Sequence, residues 1–328
     1  MKKILCIVLS ILLLGFTFLT SEQGFIFANL EDEIYSYLMI GLDDAAGNTD
    51  ALAVISYNAF DNAISVMQIP RDTYFSSGFY QNKLNQVYPG LLQNGNNEDE
   101  ALCELTDIIS AFLGVELKGY LVFDSKSFVN LIDSLGGVEI TFPEGFQYLD
   151  ELNAAGIEIK PGGNLLDGKE AFRFVRHRKS YLNGDLARMD MQKIFFSGLF
   201  DTVRKYVTEK GAYSLVNAVK GKFKSNFSII DIILMVIKHS SKFKEVSFMY
   251  LTFPGEAYKS ENGIWYYQIN KKSASEAVSR YLKTTNSGFD LEEQLLDNSS
   301  NKSREIYYSR NISYNVYTHE NIDDIKVK

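Results

Sequence analysis

Two apolar runs, Ala51 to Tyr57 and Ala63 to Ile69, lie on either side of the turn-rich Asn58-Ala59-Phe60-Asp61-Asn62. Strand-forming residues bounded by a cluster of Asn and Asp read as a β-hairpin, and this pair restricts the fold more than any other stretch. If Tyr57 pairs near Ala63, antiparallel geometry brings Asp50 opposite Pro70 and Arg71. Just upstream, Leu38-Met39-Ile40-Gly41-Leu42 is a further apolar segment that runs into Asp43, and the polar turn Asp44 to Asp50 follows. Asp43 and Asp50 thereby come to strand ends beside the Arg71-Asp72 pair. Carboxylates able to hold a hard cation stand next to an arginine able to grip an anion. That is the make-up of a site for phosphoryl chemistry.

Downstream the pattern alternates. In the polar segment after Thr73, an extended chain puts Lys83 and Asn85 on one face. Glu98 to Leu113 carries helical apolar spacing at Leu102, Leu105, Ile108, Ile109 and Phe112, with Gly114 as its stop and Leu102 and Cys103 as packing residues. Tyr120 to Phe123 reads as a strand. Ser125 caps a helix to Leu135, and Gly136-Gly137 ends it before the strand Val138 to Phe142. Later come a helix over Ser228 to Ile237, a strand over Val246 to Phe253, an edge strand at Trp265-Tyr266-Tyr267 and a helix over Ser273 to Leu282. Trp265 reads as a packing aromatic, with a sugar platform as the alternative. Tyr307 to Tyr317 is a candidate strand in an otherwise polar tail. Such alternation predicts an α/β or α+β sandwich.

A second charged region lies about a hundred residues beyond the hairpin. Asp167-Gly168-Lys169-Glu170 is a capping box that opens a helix through Phe174. In an extended Arg176-His177-Arg178, both arginines point one way and the histidine the other. Asp185 caps a long helix reaching Val207, on which Arg188 and Gln192 share a face and Met189, Phe196, Leu199 and Val203 form the core stripe. A solvated surface accounts for any one of these arginines. Arg176, Arg178 and Arg188 together with Arg71 are a cluster that repels itself unless an anion neutralises it.

The N-terminus carries its own instruction. Lys2 and Lys3 precede an unbroken apolar stretch from Ile4 to Leu19. It reads as an uncleaved membrane anchor with the lysines inside and everything after Glu22 outside; signal-peptide cleavage is the alternative, against which Ile26-Phe27-Ala28 sets a bulky residue at the third position back. The net charge of −8 argues against a nucleic-acid partner. Two cysteines, Cys6 and Cys103, and three histidines argue against a disulfide framework and a thiolate or imidazole metal site.

Gly41-Leu42-Asp43, Asn48-Thr49-Asp50, Ile69-Pro70-Arg71-Asp72-Thr73, Lys83-Leu84-Asn85, Leu135-Gly136-Gly137-Val138 and Val175-Arg176-His177-Arg178, followed by Asp185, Arg188 and Gln192, occur in the order seen in the LytR-CpsA-Psr family. The resemblance covers Leu38 to Val207. It implies a central mixed β-sheet sandwiched by helices, with a deep apolar pocket for a lipid, behind an N-terminal transmembrane helix. It also implies an envelope phosphotransferase, mainly of Gram-positive bacteria, anchored in the cell membrane by a single pass with its main domain outside. Such enzymes transfer teichoic acid or capsular polysaccharide from a polyprenyl-pyrophosphate carrier to a peptidoglycan acceptor. Carried over by motif, Asp43 and Asp50 hold Mg²⁺. Arg71, Arg176, Arg178 and Arg188 clamp the pyrophosphate with Lys83, Asn85 and Gln192 in support, and Asp72 orients Arg71 or acts as a base. One departure is that Asn48 stands where the family usually has an arginine, so one clamp charge is missing.

The expected division is an anchor over residues 1–29, a catalytic domain over 30–284 and a polar tail over 285–328. Two other readings use the same charged groups: a polyprenyl pyrophosphate hydrolase, and a non-catalytic membrane-tethered regulator that binds polyprenyl phosphate.

Overall fold

The hairpin sets the register of the whole molecule. β2 (Thr49–Asn58) and β3 (Ala63–Ile69) pair antiparallel, with Asn58 opposite Ala63 and Leu52 opposite Ile69. Continuing that register two residues outward brings Asp50 level with Arg71, within one residue of the expected pairing. The computed structural model describes residues 34–43, 47–76, 82–146, 148–177, 184–227, 245–282 and 315–318.

From edge to edge the central sheet runs β11 (Val316–Thr318), β8 (Ser247–Thr252), β3, β2, β1 (Ile34–Leu42), β4 (Tyr120–Phe123) and β7 (Lys224–Ser225). It is mixed: β1 with β4 and β3 with β8 are parallel, while β2 with β3, β8 with β11 and β4 with β7 are antiparallel. Two small ribbons stand apart from it, β5 (Val138–Phe142) with β6 (Gly162–Leu166), and β9 (Gly255–Lys259) with β10 (Trp265–Ile269). Among the described residues the helices are α1 (Val87–Gln93), α2 (Glu98–Leu113), α3 (Ser125–Leu135), α4 (Leu149–Ala154), α5 (Gly168–Arg176), α6 (Gly184–Lys210), α7 (Ala212–Val219) and α8 (Lys271–Tyr281).

Period-2 alternation divides the sheet into two faces. Leu38, Ile40, Leu52, Val54, Met67 and Ile69 pack with residues of α1, α2 and α8, among them Leu91, Leu105, Ile109 and Ala277. Tyr35, Ala53, Tyr57, Val66 and Tyr250 pack on the other side, with Phe196 and Phe200 of α6. A third cluster joins the β5–β6 ribbon to α3, α5 and α6 through Ile132, Phe142, Phe174, Ile194 and Phe195. Helices therefore cover both faces of a mixed sheet, the α/β sandwich expected.

Most boundaries follow local chemistry. Asp167 caps α5 by accepting from the Glu170 N–H at 2.8 Å, and the Glu170 carboxylate accepts from the Asp167 N–H at 2.9 Å; such a box stabilises a helix by about 1 kcal/mol. Gly136 ends α3 at φ 89°, a backbone angle that only glycine adopts without strain. Several expectations need correcting. Asp124, not Ser125, caps α3, because its carboxylate reaches the Ser127 N–H at 2.7 Å. α5 continues past Phe174 to Arg176, and α6 already includes Asp185. Cys103 is exposed, whereas Leu102 is buried as predicted. The Trp265 strand is an edge strand as expected, paired with β9 in a two-stranded ribbon outside the central sheet.

The expected anchor over residues 1–29, the helix over Ser228 to Ile237, Arg178 and most of the tail lie outside the described residues; of the tail, only residues 315–318 are described. Among the described residues no helix is long and apolar enough to cross a membrane. Those from Tyr35 onward fall in one compact unit.

Candidate active site

The site assembles at one end of β1, β2 and β3. The Asp43 N–H donates to the Asn48 carbonyl at 2.9 Å and the Gly47 N–H to the Asp43 carbonyl at 3.0 Å, so a short connection sets Asp43 and Asp50 at the same sheet end. Beyond β3 the chain turns at Pro70, where the Thr73 N–H meets the Pro70 carbonyl at 3.0 Å. Arg71 then donates through NH1 to Asp50 Oδ1 at 2.6 Å. The Asp72 carboxylate accepts from Lys83 Nζ at 2.8 Å and lies 3.7 Å from Arg71 Nε. Backbone bonds hold this corner: Leu84 N–H to Thr73 O at 2.9 Å and Asn85 N–H to Arg71 O at 3.1 Å.

Arg176 arrives from the last turn of α5. Its Nη2 lies 3.6 Å from Asp43 Oδ1 and 3.7 Å from Asp50 Oδ2, and its guanidinium sits 5.1 Å from the Phe172 ring one turn earlier. One cationic nitrogen thus stands between both acids. The two carboxylates face the same Arg176 nitrogen, and among the described residues no group of three or more acids, cysteines or histidines is placed to hold a metal ion. Such a pair fits Mg²⁺, which is commonly held by one or two carboxylates and completes its shell with water and phosphate oxygens.

Behind the charged mouth lies an apolar cavity of about 160 Å³. Its walls include Phe128, Phe172, Phe195, Phe196 and Leu199, and its rim includes Asp50, Arg176, Arg188 and Gln192. The space exists because the α6-facing side of the sheet carries Gly41, Ala51 and Ala53 where its neighbours carry large side chains. A Cβ on Gly41 would come within 3.1 Å of the Ala51 Cβ. A roomier groove of about 750 Å³ between α6 and β5, lined by Glu139, Asp201 and Lys205 among others, contains none of the predicted site residues. The acids and arginines meet at the smaller cavity.

Asp43, Asp50, Arg71, Asp72, Lys83, Arg176 and Arg188 therefore gather around one opening, three acids against four cations. Other expectations are redrawn. Lys83 and Asn85 do not share a face, because Leu84–Gln86 is a 3-10 turn; Asn85 is buried, with its Oδ1 lacking a hydrogen-bond partner. Gln192 donates to the Val175 carbonyl at 3.3 Å and accepts from Gln68, so it serves the cavity wall as much as the mouth. Burial pushes the His177 imidazole below its usual pKa, which keeps it uncharged at neutral pH beside Arg176. Asn48 accepts from Gln86 at 3.4 Å and contributes no charge.

Two participants escaped sequence reasoning. Gln68 bridges Gln192 and the buried Tyr250, whose hydroxyl donates to Gln68 Oε1 at 3.1 Å. The signal was present: a glutamine at a core-facing position of an apolar strand needs partners. The small-residue patch at Gly41, Ala51 and Ala53 is weaker as a signal, because small residues also fill ordinary cores.

The family model described as the LytR_cpsA_psr family matches residues 19–283. The polyisoprenyl-teichoic acid–peptidoglycan teichoic acid transferase TagU of Oceanobacillus iheyensis is 22% identical over 254 residues, covering 76% of this chain and 75% of its own length. The Bacillus cereus protein of the same name is 26% identical over 244 residues, covering 73% of this chain and 75% of its own. Among solved structures, TagT bound to LI-WTA aligns with TM-score 0.59 at 19% identity, over 77% of this chain and 90% of that one. Bacillus subtilis TagV aligns with TM-score 0.60 at 21% identity, over 78% of this chain and 100% of that one. These structural likenesses carry the fold. With the family model spanning 19–283 and the motif residues gathered at one mouth, the chain belongs to the LytR-CpsA-Psr family.

Proposed function

We propose that this protein transfers a glycopolymer from a polyprenyl-diphosphate carrier to peptidoglycan, acting as a phosphotransferase of the cell envelope. The observation that carries this reading is the junction of a charged mouth with an apolar cavity. A polyprenyl diphosphate has the same two-part character. The family membership and the transferase names of the similar proteins favour transfer over hydrolysis or simple binding.

In the mechanism, Arg71, Arg176 and Arg188 bind the diphosphate oxygens, and Lys83 adds a point charge from its place on Asp72. The cavity takes the first part of the prenyl chain, fixing the two phosphorus atoms at the mouth. An acceptor hydroxyl oxygen bonds to the glycan-side phosphorus while the bond from that phosphorus to the bridging oxygen breaks. Polyprenyl phosphate leaves with the electron pair, and the hydroxyl proton passes to its newly terminal oxygen. The transition state is loose, so positioning and charge neutralisation do most of the catalysis. Mg²⁺ held by Asp43 and Asp50 would supply Lewis-acid neutralisation of the phosphoryl oxygens. Asp72, paired with both Lys83 and Arg71, acts as a positioning residue and not as the base.

The lysine-flanked apolar run Ile4 to Leu19 would anchor the chain with the domain outside the cell. External protease should then digest the domain in intact cells. A soluble mature form beginning near Ala28 would instead mean a secreted protein. The test of function is incubation with a polyprenyl-diphosphate-linked glycan and peptidoglycan, with and without Mg²⁺. Metal-dependent covalent attachment supports the proposal. Free glycan phosphate without attachment supports a hydrolase, and binding without product supports a regulator.

A further inference from the structure

Transfer needs a second saccharide, the acceptor, as well as the donor. The β9–β10 ribbon stands beside the mouth. Its Tyr267 N–H donates to the Asp72 carbonyl at 2.8 Å, and its Tyr267 carbonyl accepts from the Tyr74 N–H at 2.9 Å. Thr73 and Tyr267 form a parallel bridge, so the strand that starts at Trp265 runs alongside the segment that carries Arg71 and Asp72. One face of the ribbon is tied to the charged residues. Tyr266 stacks on Tyr258 at 5.5 Å, meets Tyr74 edge-on at 5.5 Å, and lies 5.7 Å from Lys83 Nζ, the same nitrogen that pairs with Asp72.

Trp265 lies on the other face, opposite Lys259, whose Nζ is 5.9 Å from the indole ring. It is 57% exposed and is the one tryptophan in the chain. Burial would be the usual use of so large an apolar surface. We infer that the β9–β10 ribbon is the docking surface for the acceptor glycan strand, with Trp265 stacking on the apolar C–H face of an acceptor sugar; this rests on the transferase reading above. Pyranose rings pair flat C–H faces with a polar hydroxyl rim. The ribbon matches that division: one exposed indole beside the exposed Lys259, with exposed Glu261 and Asn262 in the turn before it. A membrane-inserting surface would instead present several apolar groups together. The parallel bridge between Thr73 and Tyr267 sets the backbone of the strand that begins at Trp265 beside the segment that carries Arg71 and Asp72, so a glycan held along this ribbon lies at the edge of the mouth.

Because Trp265 is the chain's one tryptophan, its emission reports directly on this surface. Peptide-free peptidoglycan glycan strands, titrated into the full chain, should shift or quench that emission saturably. Trp265→Ala should raise the glycan concentration for half-maximal transfer roughly tenfold, a typical loss for one aromatic stacking contact, with donor binding unchanged. Trp265→Phe should restore most of it. Unchanged emission at saturating glycan overturns the inference, as does an emission shift with phospholipid vesicles but not with glycan. A glycan-induced shift in a protein that shows no transfer supports the docking surface and counts against the transferase reading alone.

Discussion

Arg71 and Asp50 meet at 2.6 Å although they are 21 residues apart, because the β2–β3 register leaves them at matching positions beyond the last paired residues. The contact is partly buried, so the acid holds the guanidinium in place before any anion arrives. Such a pair costs desolvation and is weak evidence for stability, but it is good evidence for preorganisation. Arg71→Lys should keep the fold and the charge yet lose the planar fork. Affinity for a prenyl diphosphate should fall roughly 10- to 100-fold, the value of one or two charge-assisted hydrogen bonds, measured by calorimetry with an unchanged Tm.

Asp72 contacts Lys83 and Arg71 and, in this account, no substrate atom. Asp72→Asn should lower kcat by about tenfold, the scale of losing a group that orients catalytic residues, and leave the thermal midpoint nearly unchanged. Asp72→Glu should recover part of the loss. If Asp72 were the base, the substitution would abolish activity, and Asp72→Glu would not restore it by positioning alone.

Ala53 faces α6 and borders the cavity. Ala53→Leu should fill space that the lipid needs without touching the charged mouth. Affinity for a polyprenyl diphosphate should drop roughly tenfold or more, about two methylenes' worth of apolar burial, while inorganic diphosphate, which has no chain to place in the cavity, should bind as before. Equal weakening of both ligands would point to distortion of the mouth.

Asn48 sits in the connection between Asp43 and Asp50 and bonds Gln86. Asn48→Arg should restore the clamp charge that the family pattern carries there. Diphosphate affinity should rise about threefold to tenfold at low salt, with the gain fading as ionic strength increases.

How far the sequence could be read depended on whether a feature was local. The hairpin, the Asp167–Glu170 box and the Gly136 stop were legible because each rests on adjacent residues. The convergence of Arg71 with Arg176 was anticipated from charge repulsion and from motif order, not from periodicity. What escaped was tertiary. Lys83-Leu84-Asn85 looked extended, but hydrogen bonds from Leu84 and Asn85 to Thr73 and Arg71 curl it into a 3-10 turn. Gln192 looked like a phosphate ligand on its helix face, and only the neighbouring sheet reveals Gln68 as its partner. The apolar pocket is implied by the family resemblance, but its location is not legible residue by residue, because small residues on three strand positions have meaning only once the strands are side by side.

The central claim is that phosphorus moves with the glycan, and an isotope tracer reads this directly. A donor labelled at the glycan-side phosphorus should be incubated with peptidoglycan, Mg²⁺ and the wild-type chain, alongside Asp43→Ala and Asp50→Ala. The account predicts label in insoluble peptidoglycan for the wild type, with at least roughly a hundredfold less for either variant. Label that appears as soluble glycan phosphate, stays on the polyprenyl carrier, or enters peptidoglycan equally with Asp50→Ala would contradict it.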